Sequence, residues 1–166
     1  MKEIVTIPEE RIRVLRRDKK FGEKLKKFVD AKITIKECVE IECDDPIKLL
    51  RVKEVVKAFG RGFDIETSLN LLDEDYFLDI LDVKPFTGKS RNRQVVLKGR
   101  VIGSRGKTKN IIEKYSDAKI VIYGKSISIV GKAKNVRLAR EAIQMLLNGA
   151  NHSSVYRFLE KHRVDV

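Results

Sequence analysis

The sequence predicts an α+β protein made of two tandem copies of one unit, each with the element order β-α-α-β-β-α. Three observations support this fold class: a gapless internal repeat, pairs of short strands with alternating apolar residues, and a longer amphipathic helix that closes each copy. In each copy we expect a three-stranded antiparallel sheet packed against three helices. An extra helix follows the second copy, and the predicted domains are residues 1–75 and 76–166.

The repeat relates residues 13–35 to residues 100–122. The first segment is RVLRRDKKFGEKLKKFVDAKITI and the second is RVIGSRGKTKNIIEKYSDAKIVI, with nine of 23 positions identical and no gap. Both contain the block DAKI, which a shared richness in lysine and isoleucine does not explain. We therefore interpret the chain as two copies of one unit.

The first copy begins with a predicted strand, EIVTI (3–7), followed by two short helices hinged at an elbow and a strand pair, KITI and CVEIE. Residues 46–59 have apolar side chains at i, i+3, i+4 spacing, which predicts the closing helix. Gly60 stands where the C-terminus of that helix favours glycine. Residues 63–75 predict a connecting helix.

The second copy repeats this order, with a strand YFLDILDV (76–83), two hinged helices and the strand pair KIVIY and SISIV. Residues 132–147 predict its closing helix, and Gly149 lies at the expected C-terminus. The tail NHSSVYRFLEKHRV predicts one more helix, with Asn151 or Ser153 as the N-cap. Its buried face is expected to consist of Val155, Phe158 and Leu159.

The positive charge of the chain is concentrated in the second copy. The formal net charge is +12, and from Lys84 onward there are 19 Lys/Arg against 5 Asp/Glu, whereas the preceding residues have 17 against 19. Such a field attracts polyanions, namely RNA, DNA or an anionic membrane surface. A lysine-rich solubilising coat is the alternative, and it explains the asymmetry less well.

Other composition features favour a cytosolic location. The sequence has no apolar run near eighteen residues and no signal-peptide pattern, so we expect no membrane span and no signal peptide. Among the polyanions we favour a nucleic acid over a membrane surface. Cys38 and Cys43 are five residues apart on a predicted strand, where their side chains would point to opposite faces. We therefore expect both cysteines to be free.

The segment RVIGSRGKTKNII (100–112) is the main functional candidate, and we call residues 103–106 the elbow. It could be a phosphate loop, a contact for a sugar-phosphate backbone, or a solvated turn between two helices. The Walker pattern requires its first glycine at position 101, which is Val101, and no predicted strand leads into the loop. Nucleotide binding is therefore disfavoured.

The pattern G-x-x-G at Gly103-Ser104-Arg105-Gly106, placed between two helices in the β-α-α-β-β-α order, resembles a type I KH domain. Glycine lacks Cβ, so a sugar-phosphate backbone can approach the main chain there, and the N-terminus of the next helix favours phosphate. We expect a narrow groove for about four unpaired nucleotides, with an isoleucine floor. The candidate RNA-binding residues are Arg100, Ile102, Gly103, Ser104, Arg105, Gly106, Lys107, Lys109, Ile111, Lys119, Ile120, Val121, Ile122 and Tyr123.

Two features limit the predicted affinity. Ile112 and Ile122 fit the core better than the floor, and Tyr123 is the one aromatic residue near the groove, so we expect modest affinity and strong salt dependence. In the first copy Arg16 and Lys19 align with Gly103 and Gly106. We therefore expect that unit to keep the fold but not to bind a nucleic-acid strand. The acidic residues 28–83 fit either a protein partner or a solvated face.

At family level, the run LKGRVIGSRGKTKNIIEKYSDAKIVIYGKSISIVG and the tail HSSVYRFLEKHR resemble the archaeal Dim-type pre-rRNA processing family. Its eukaryotic counterparts include the Krr protein and the partner-of-Nob protein. The resemblance implies a small-subunit assembly factor that binds small-subunit rRNA near its 3′ end through the second copy. Independently of the resemblance, we expect the protein to be monomeric or only transiently associated. Implied protein partners are the pre-rRNA endonuclease, the rRNA dimethyladenosine transferase or a translation initiation factor.

We expect no catalysis, no cofactor and no metal. His152 and His162 are far from both cysteines in sequence, and no metal-ligand spacing occurs. The carboxylates of residues 64–82 fit a solvated surface, although a metal-dependent nuclease is an alternative. A second alternative is an interaction scaffold that docks on ribosomal RNA or translation factors without recognising sequence.

Overall fold

The computed structural model describes residues 1–163. The chain divides into two compact units, Met1–Tyr76 and Phe77 to the C-terminus. Each unit contains a three-stranded sheet whose central strand is the second strand of the hairpin. The predicted α+β class and the repeated order of elements are thereby confirmed.

The first unit consists of β1 (Lys2–Val5), α1 (Glu9–Arg17), α2 (Lys19–Phe28), β2 (Lys32–Ile35), β3 (Val39–Glu42) and α3 (Pro46–Gly60). Its sheet is antiparallel with the order β1-β3-β2. Helix α3 begins where the Asp45 side chain accepts from the main-chain N–H groups of Ile47 and Lys48. Phe21 and Phe59, with ring centroids 5.9 Å apart, lie in the core between α2 and α3.

The connecting helix predicted over residues 63–75 is shorter in the structure. It consists of α4 (Ile65–Leu69), capped by Asp64, and a 3-10 turn at Asn70–Leu72. The chain then turns at Asp73, whose side chain accepts from the N–H of Asp75 at 2.9 Å. This local hydrogen bond competes with helix continuation, which is why the helical pattern ends early.

The second unit consists of β4 (Tyr76–Asp82), α5 (Lys84–Thr87), α6 (Arg91–Ile102), α7 (Lys107–Ser116), β5 (Lys119–Tyr123), β6 (Ser126–Lys132), α8 (Ala133–Leu147) and α9 (His152–His162). The sheet order is β4-β6-β5, and β5 pairs antiparallel with β6. The short α5 was not predicted. It begins where Asp82 accepts from the N–H of Lys84, with a proline in the first turn.

Helix α9 packs against the second unit through a small apolar face. Val155 and Leu159 are fully buried and Phe158 is partly buried against the same core. The N-cap is Asn151, whose side chain accepts from the N–H of Ser154 at 2.8 Å. This selects Asn151 over Ser153, the other predicted N-cap.

The two glycines predicted at helix ends have different roles. Gly149 follows α8 with φ 98°, a conformation that favours glycine after a helix. Gly60 is the last helical residue, and a Cβ there would lie 2.4 Å from Cγ2 of Ile7. Gly60 is therefore required by close packing and not by a left-handed turn.

The gapless alignment of the two copies holds in the second helix of each unit but fails in the first. Phe21 and Leu25 are buried like their counterparts Thr108 and Ile112. In contrast, Leu15 is buried whereas its counterpart Ile102 is 37% exposed. The helices of the first unit are joined by Asp18 alone, so Arg16 and Lys19 are helical residues and do not occupy the loop positions of Gly103 and Gly106.

Both cysteines are free, with Cys38 partly buried before β3 and Cys43 buried after it. Among residues 1–163, no helix combines the length and apolar character needed to span a membrane.

Candidate nucleic-acid interface

The elbow has an unusual main-chain conformation. Gly103, Arg105 and Gly106 all have positive φ, at 75°, 56° and 74°. A Cβ on Gly103 would lie 2.3 Å from Oγ1 and 2.7 Å from the amide nitrogen of Thr108. At Gly106 the nearest described atom would be Nδ2 of Asn110, at 3.9 Å. Gly103 is therefore fixed by packing beneath the elbow, whereas the bare side of Gly106 faces open space.

The surface of the elbow is exposed and basic. Ser104, Arg105 and Lys107 are all exposed, and α7 begins at Lys107. Its N-cap is Gly106, which has no side chain to cover the first-turn N–H groups. Those amides and the positive end of the helix dipole can bind an anion at the place where two cationic side chains are available.

The strand β5 is an edge strand of its sheet, so one of its sides is free of pairing with another strand. Residues of an antiparallel edge strand alternate in the direction of their main-chain groups. The N–H of Ile120 points to the free edge and donates to Oε2 of Glu113 at 3.0 Å, and Glu113 also lies 3.5 Å from Nζ of Lys109. By alternation, the main chain of Ile122 faces the same edge, where it can recognise a base.

The structure divides the predicted isoleucine floor into two groups. Ile102 is 37% exposed, and Ile111 and Ile122 are partly buried, so these three side chains can line a groove between the elbow and β5. Ile120 is 1% exposed, and Ile112, the alternative floor residue, is fully buried. The side chain of Ile120 therefore belongs to the core, which corrects the prediction that it lines the floor.

Three other candidates on β5 lie on the opposite face of the sheet. Side chains alternate along a strand, and Ile120 and Ile122 point toward the helices. Lys119, Val121 and Tyr123 consequently project away from the floor. This arrangement does not support Tyr123 as a stacking residue for a base in the groove.

Arg100 is engaged elsewhere. Its guanidinium donates to the main-chain carbonyls of Leu146, at 2.8 Å, and Ala150. The side chain therefore ties α6 to the last turn of α8 and to the turn that follows, and these bonds compete with the predicted role of Arg100 in RNA binding.

Sequence reasoning missed Gly99 and Lys98 on α6. Gly99 is exposed, and no described atom lies within 4 Å of the position its Cβ would take. It precedes Ile102 and Gly103 by three and four residues, so it lies on the same face of the helix. A glycine inside a helix lowers the stability of that helix. The presence of Gly99 in a predicted helix was therefore a signal that this position has another role. Lys98 donates to the carbonyl of Gly124 at 2.8 Å and links α6 to the β5–β6 turn.

Two contacts between α9 and the elbow region were not predicted from the sequence of the tail. The Tyr156 hydroxyl is 2.8 Å from Oγ1 of Thr108, and Nε2 of His152 donates to the carbonyl of Arg100 at 2.9 Å. The available signal was the cluster of hydrogen-bonding side chains in NHSSVY (151–156), at the start of the predicted last helix.

The part of the chain that the structure describes contains no cluster of metal-binding side chains. Across residues 1–163, no three His, Cys, Asp or Glu side chains are grouped so that they could hold a metal ion. The geometry at the elbow thus offers main-chain donors, cations and an apolar floor, which together suit a single nucleic-acid strand.

Comparisons with known proteins show which family the chain resembles. The model of a eukaryotic-type (type I) KH domain, specifically the second such domain of PNO1, matches residues 77–164. KH domain-containing protein MJ0443 of Methanocaldococcus jannaschii is 36% identical over 175 residues, which cover 97% of this chain and 74% of that protein. Pre-rRNA-processing protein PNO1 of Coccidioides immitis is 38% identical over 112 residues, 65% of this chain and 43% of that protein.

A chain in the crystal structure of an a/eIF2α–aDim2p–rRNA complex from Pyrococcus horikoshii superposes with a TM-score of 0.86 at 35% identity. The superposition covers 97% of this chain and 93% of that one. The chain spans three quarters of its archaeal relative but less than half the length of the fungal one. Because the family model matches residues 77–164 and the archaeal relative is 36% identical over 97% of this chain, the chain belongs to the PNO1-type family of KH-domain proteins.

Proposed function

We propose that the chain is an RNA-binding ribosome biogenesis factor that assists pre-rRNA processing and small-subunit assembly. It binds single-stranded small-subunit rRNA near its 3′ end through the elbow and groove of the second unit. The observation that carries this proposal is the exposed elbow, where bare main chain and two cations meet the start of α7 opposite a free strand edge. Relatives named as pre-rRNA-processing proteins and the rRNA complex of the archaeal neighbour support it.

The two sides of the groove bind different parts of the RNA. The sugar-phosphate backbone lies on the elbow, where Gly106 lets it approach and Arg105 and Lys107 neutralise its charge. The bases lie on Ile102, Ile111 and Ile122, and the main chain of Ile122 donates to and accepts from a base edge. Because single strands expose these edges and duplexes do not, the site selects unpaired RNA.

We also propose protein partners for this factor. The archaeal neighbour was crystallised with a/eIF2α, which supports a translation initiation factor as one partner. The endonuclease that processes pre-rRNA and the rRNA dimethyladenosine transferase are further candidates, because the resemblance to the Dim-type family implies them. In this proposal the factor works as a cytoplasmic monomer and carries out no catalysis itself.

The deciding experiment compares two oligonucleotides by fluorescence anisotropy: one with the small-subunit 3′-terminal sequence and one with the same bases scrambled. Tighter binding to the native sequence supports recognition through the groove. Equal binding would instead support a scaffold that docks on ribosomal RNA without recognising sequence.

The salt dependence of binding should reveal the number of phosphates held. If the elbow holds three to five phosphates, we expect log affinity to fall with log salt concentration at a slope of roughly −2 to −3.5. Titrations between 50 and 300 mM KCl, chosen as roughly the range over which counterion release dominates, measure this slope. A slope near zero would contradict an electrostatic grip on the backbone.

Gly99→Ala should weaken RNA binding at least about fivefold, because a methyl group on the groove face prevents close approach of the ligand. The matched control is Gly22→Ala in α2, where the added Cβ likewise has no described atom within 4 Å. Both substitutions should raise the free energy of unfolding by about 0.5–1 kcal/mol, since alanine favours a helix. Anisotropy and urea denaturation separate the two effects, and equal RNA affinity for both variants would remove Gly99 from the groove.

A further inference from the structure

The elbow is strained, and its shape has to be maintained by the residues around it. Arg105 is a non-glycine residue at φ 56°, in the left-handed region that disfavours a side chain. Such a conformation persists where the surrounding structure over-determines it. The contacts beneath the elbow, which an RNA ligand would not touch, are therefore relevant to binding.

Thr108 is the residue directly beneath the elbow. It is 2% exposed, and its Oγ1 and amide nitrogen occupy the space where a Cβ of Gly103 would be. Its hydroxyl shares a 2.8 Å hydrogen bond with the hydroxyl of Tyr156 on α9. Any rotation of the Thr108 side chain would change the contact with Gly103, so Tyr156 fixes that contact from below.

A second contact fixes the other side of the elbow. His152, the first residue of α9, donates to the carbonyl of Arg100 in the last turn of α6. The guanidinium of Arg100 in turn donates to carbonyls at the α8–α9 turn. Helix α9 thus contacts the helix before the elbow and the helix after it.

These contacts are made by a helix that is itself anchored in the core. Val155 and Leu159 are fully buried, so α9 has a fixed position relative to α7 and α8. His152 and Tyr156 are four residues apart on one face of α9. Helix α9 therefore connects the core to the residues on both sides of the elbow.

We propose that Tyr156 and His152 are positioning residues for RNA binding: from α9 they hold the elbow in the conformation that accepts a sugar-phosphate backbone, without contacting RNA themselves. This inference rests on the proposed function of the elbow. When a contact that preorganises a site is removed, the competent conformation becomes a smaller fraction of the free protein, and the apparent Kd rises by the same factor. RNA affinity should therefore depend on a hydrogen bond at the back of the elbow.

The test uses Tyr156→Phe, Thr108→Val and the double variant, each of which removes a hydroxyl and keeps the shape of the side chain. We expect each single variant to weaken binding of the 3′-terminal oligonucleotide by roughly three- to tenfold, the range that one hydrogen bond supplies. The double variant should be no weaker than the singles, because both remove one interaction. Amide hydrogen exchange at residues 103–107 of the free protein should accelerate in all three.

The control variant is Tyr115→Phe, which removes a hydroxyl from α7 away from the elbow and should change neither affinity nor exchange at the elbow. Unchanged affinity in Tyr156→Phe, or additive losses in the double variant, would overturn the inference. The double aspartate variant of the elbow described below is measured alongside. If that variant still binds RNA, the proposed function itself fails, and if it alone loses binding, only the role of α9 fails.

Discussion

Replacing Ser104 and Arg105 together by aspartate is expected to weaken RNA binding at least about 100-fold, because like charges placed against phosphates cost several kcal/mol. The change removes one cation and adds two carboxylates at the exposed surface of the elbow. Fluorescence anisotropy with the 3′-terminal oligonucleotide measures the loss.

The fold should tolerate this change. Ser104 and Arg105 are exposed, and aspartate tolerates the left-handed conformation of Arg105 better than most residues. We therefore expect the far-ultraviolet circular dichroism to be unchanged and the melting temperature to be nearly so.

The matched control is Ser104→Asn with Arg105→Asn, which keeps the size of the aspartates but adds no negative charge. This control should lose only the contribution of Arg105, a several-fold change in affinity. RNA binding that survived both substitutions would place the RNA site outside the elbow. Equal losses in the two variants would indicate that shape, and not charge, controls binding there.

Most of the fold was predictable because each element has a strong local pattern. The alternation in KIVIY and SISIV, the i, i+3, i+4 spacing of residues 46–59 and the Asn151 cap define elements whose bounds the structure reproduces closely. The short helix α5 was not predictable by periodicity, since four residues contain about one helical turn. The connecting helix was overestimated because Asp73 supplies a turn that an apolar pattern does not reveal.

The positions of the site that need glycine could be predicted from the sequence. The directions in which its side chains point could not. Gly103 and Gly106 stand out in the sequence, and both have the positive φ that glycine permits. The roles of Arg100 and Ile120 depend on contacts with residues distant in sequence: Arg100 reaches Leu146, and Ile120 packs into the core. A gapless alignment also concealed the different elbow of the first unit, because identical residues at Val14 and Val101 have opposite burial.

Gly103→Ala is expected to lower the free energy of unfolding by roughly 3–5 kcal/mol, the largest effect on stability among the substitutions considered. Two causes add. The residue has φ 75° and ψ 173°, a region that only glycine adopts readily, and the new Cβ would lie 2.3 Å from Oγ1 of Thr108. Urea denaturation followed by circular dichroism measures the change.

Gly106→Ala is the matched substitution because it has the same positive φ but open space around the added methyl group. With φ 74° and ψ 13°, the residue lies in the left-handed helical region, and alanine should cost about 1 kcal/mol there. The methyl group would nevertheless stand where the sugar-phosphate backbone approaches, so RNA affinity should fall although the protein remains folded. The two glycines are then separable: Gly103 maintains the elbow, and Gly106 opens it to the ligand. Equal losses of stability in the two variants would contradict the packing of Thr108 beneath Gly103, and with it the route by which Tyr156 reaches the elbow.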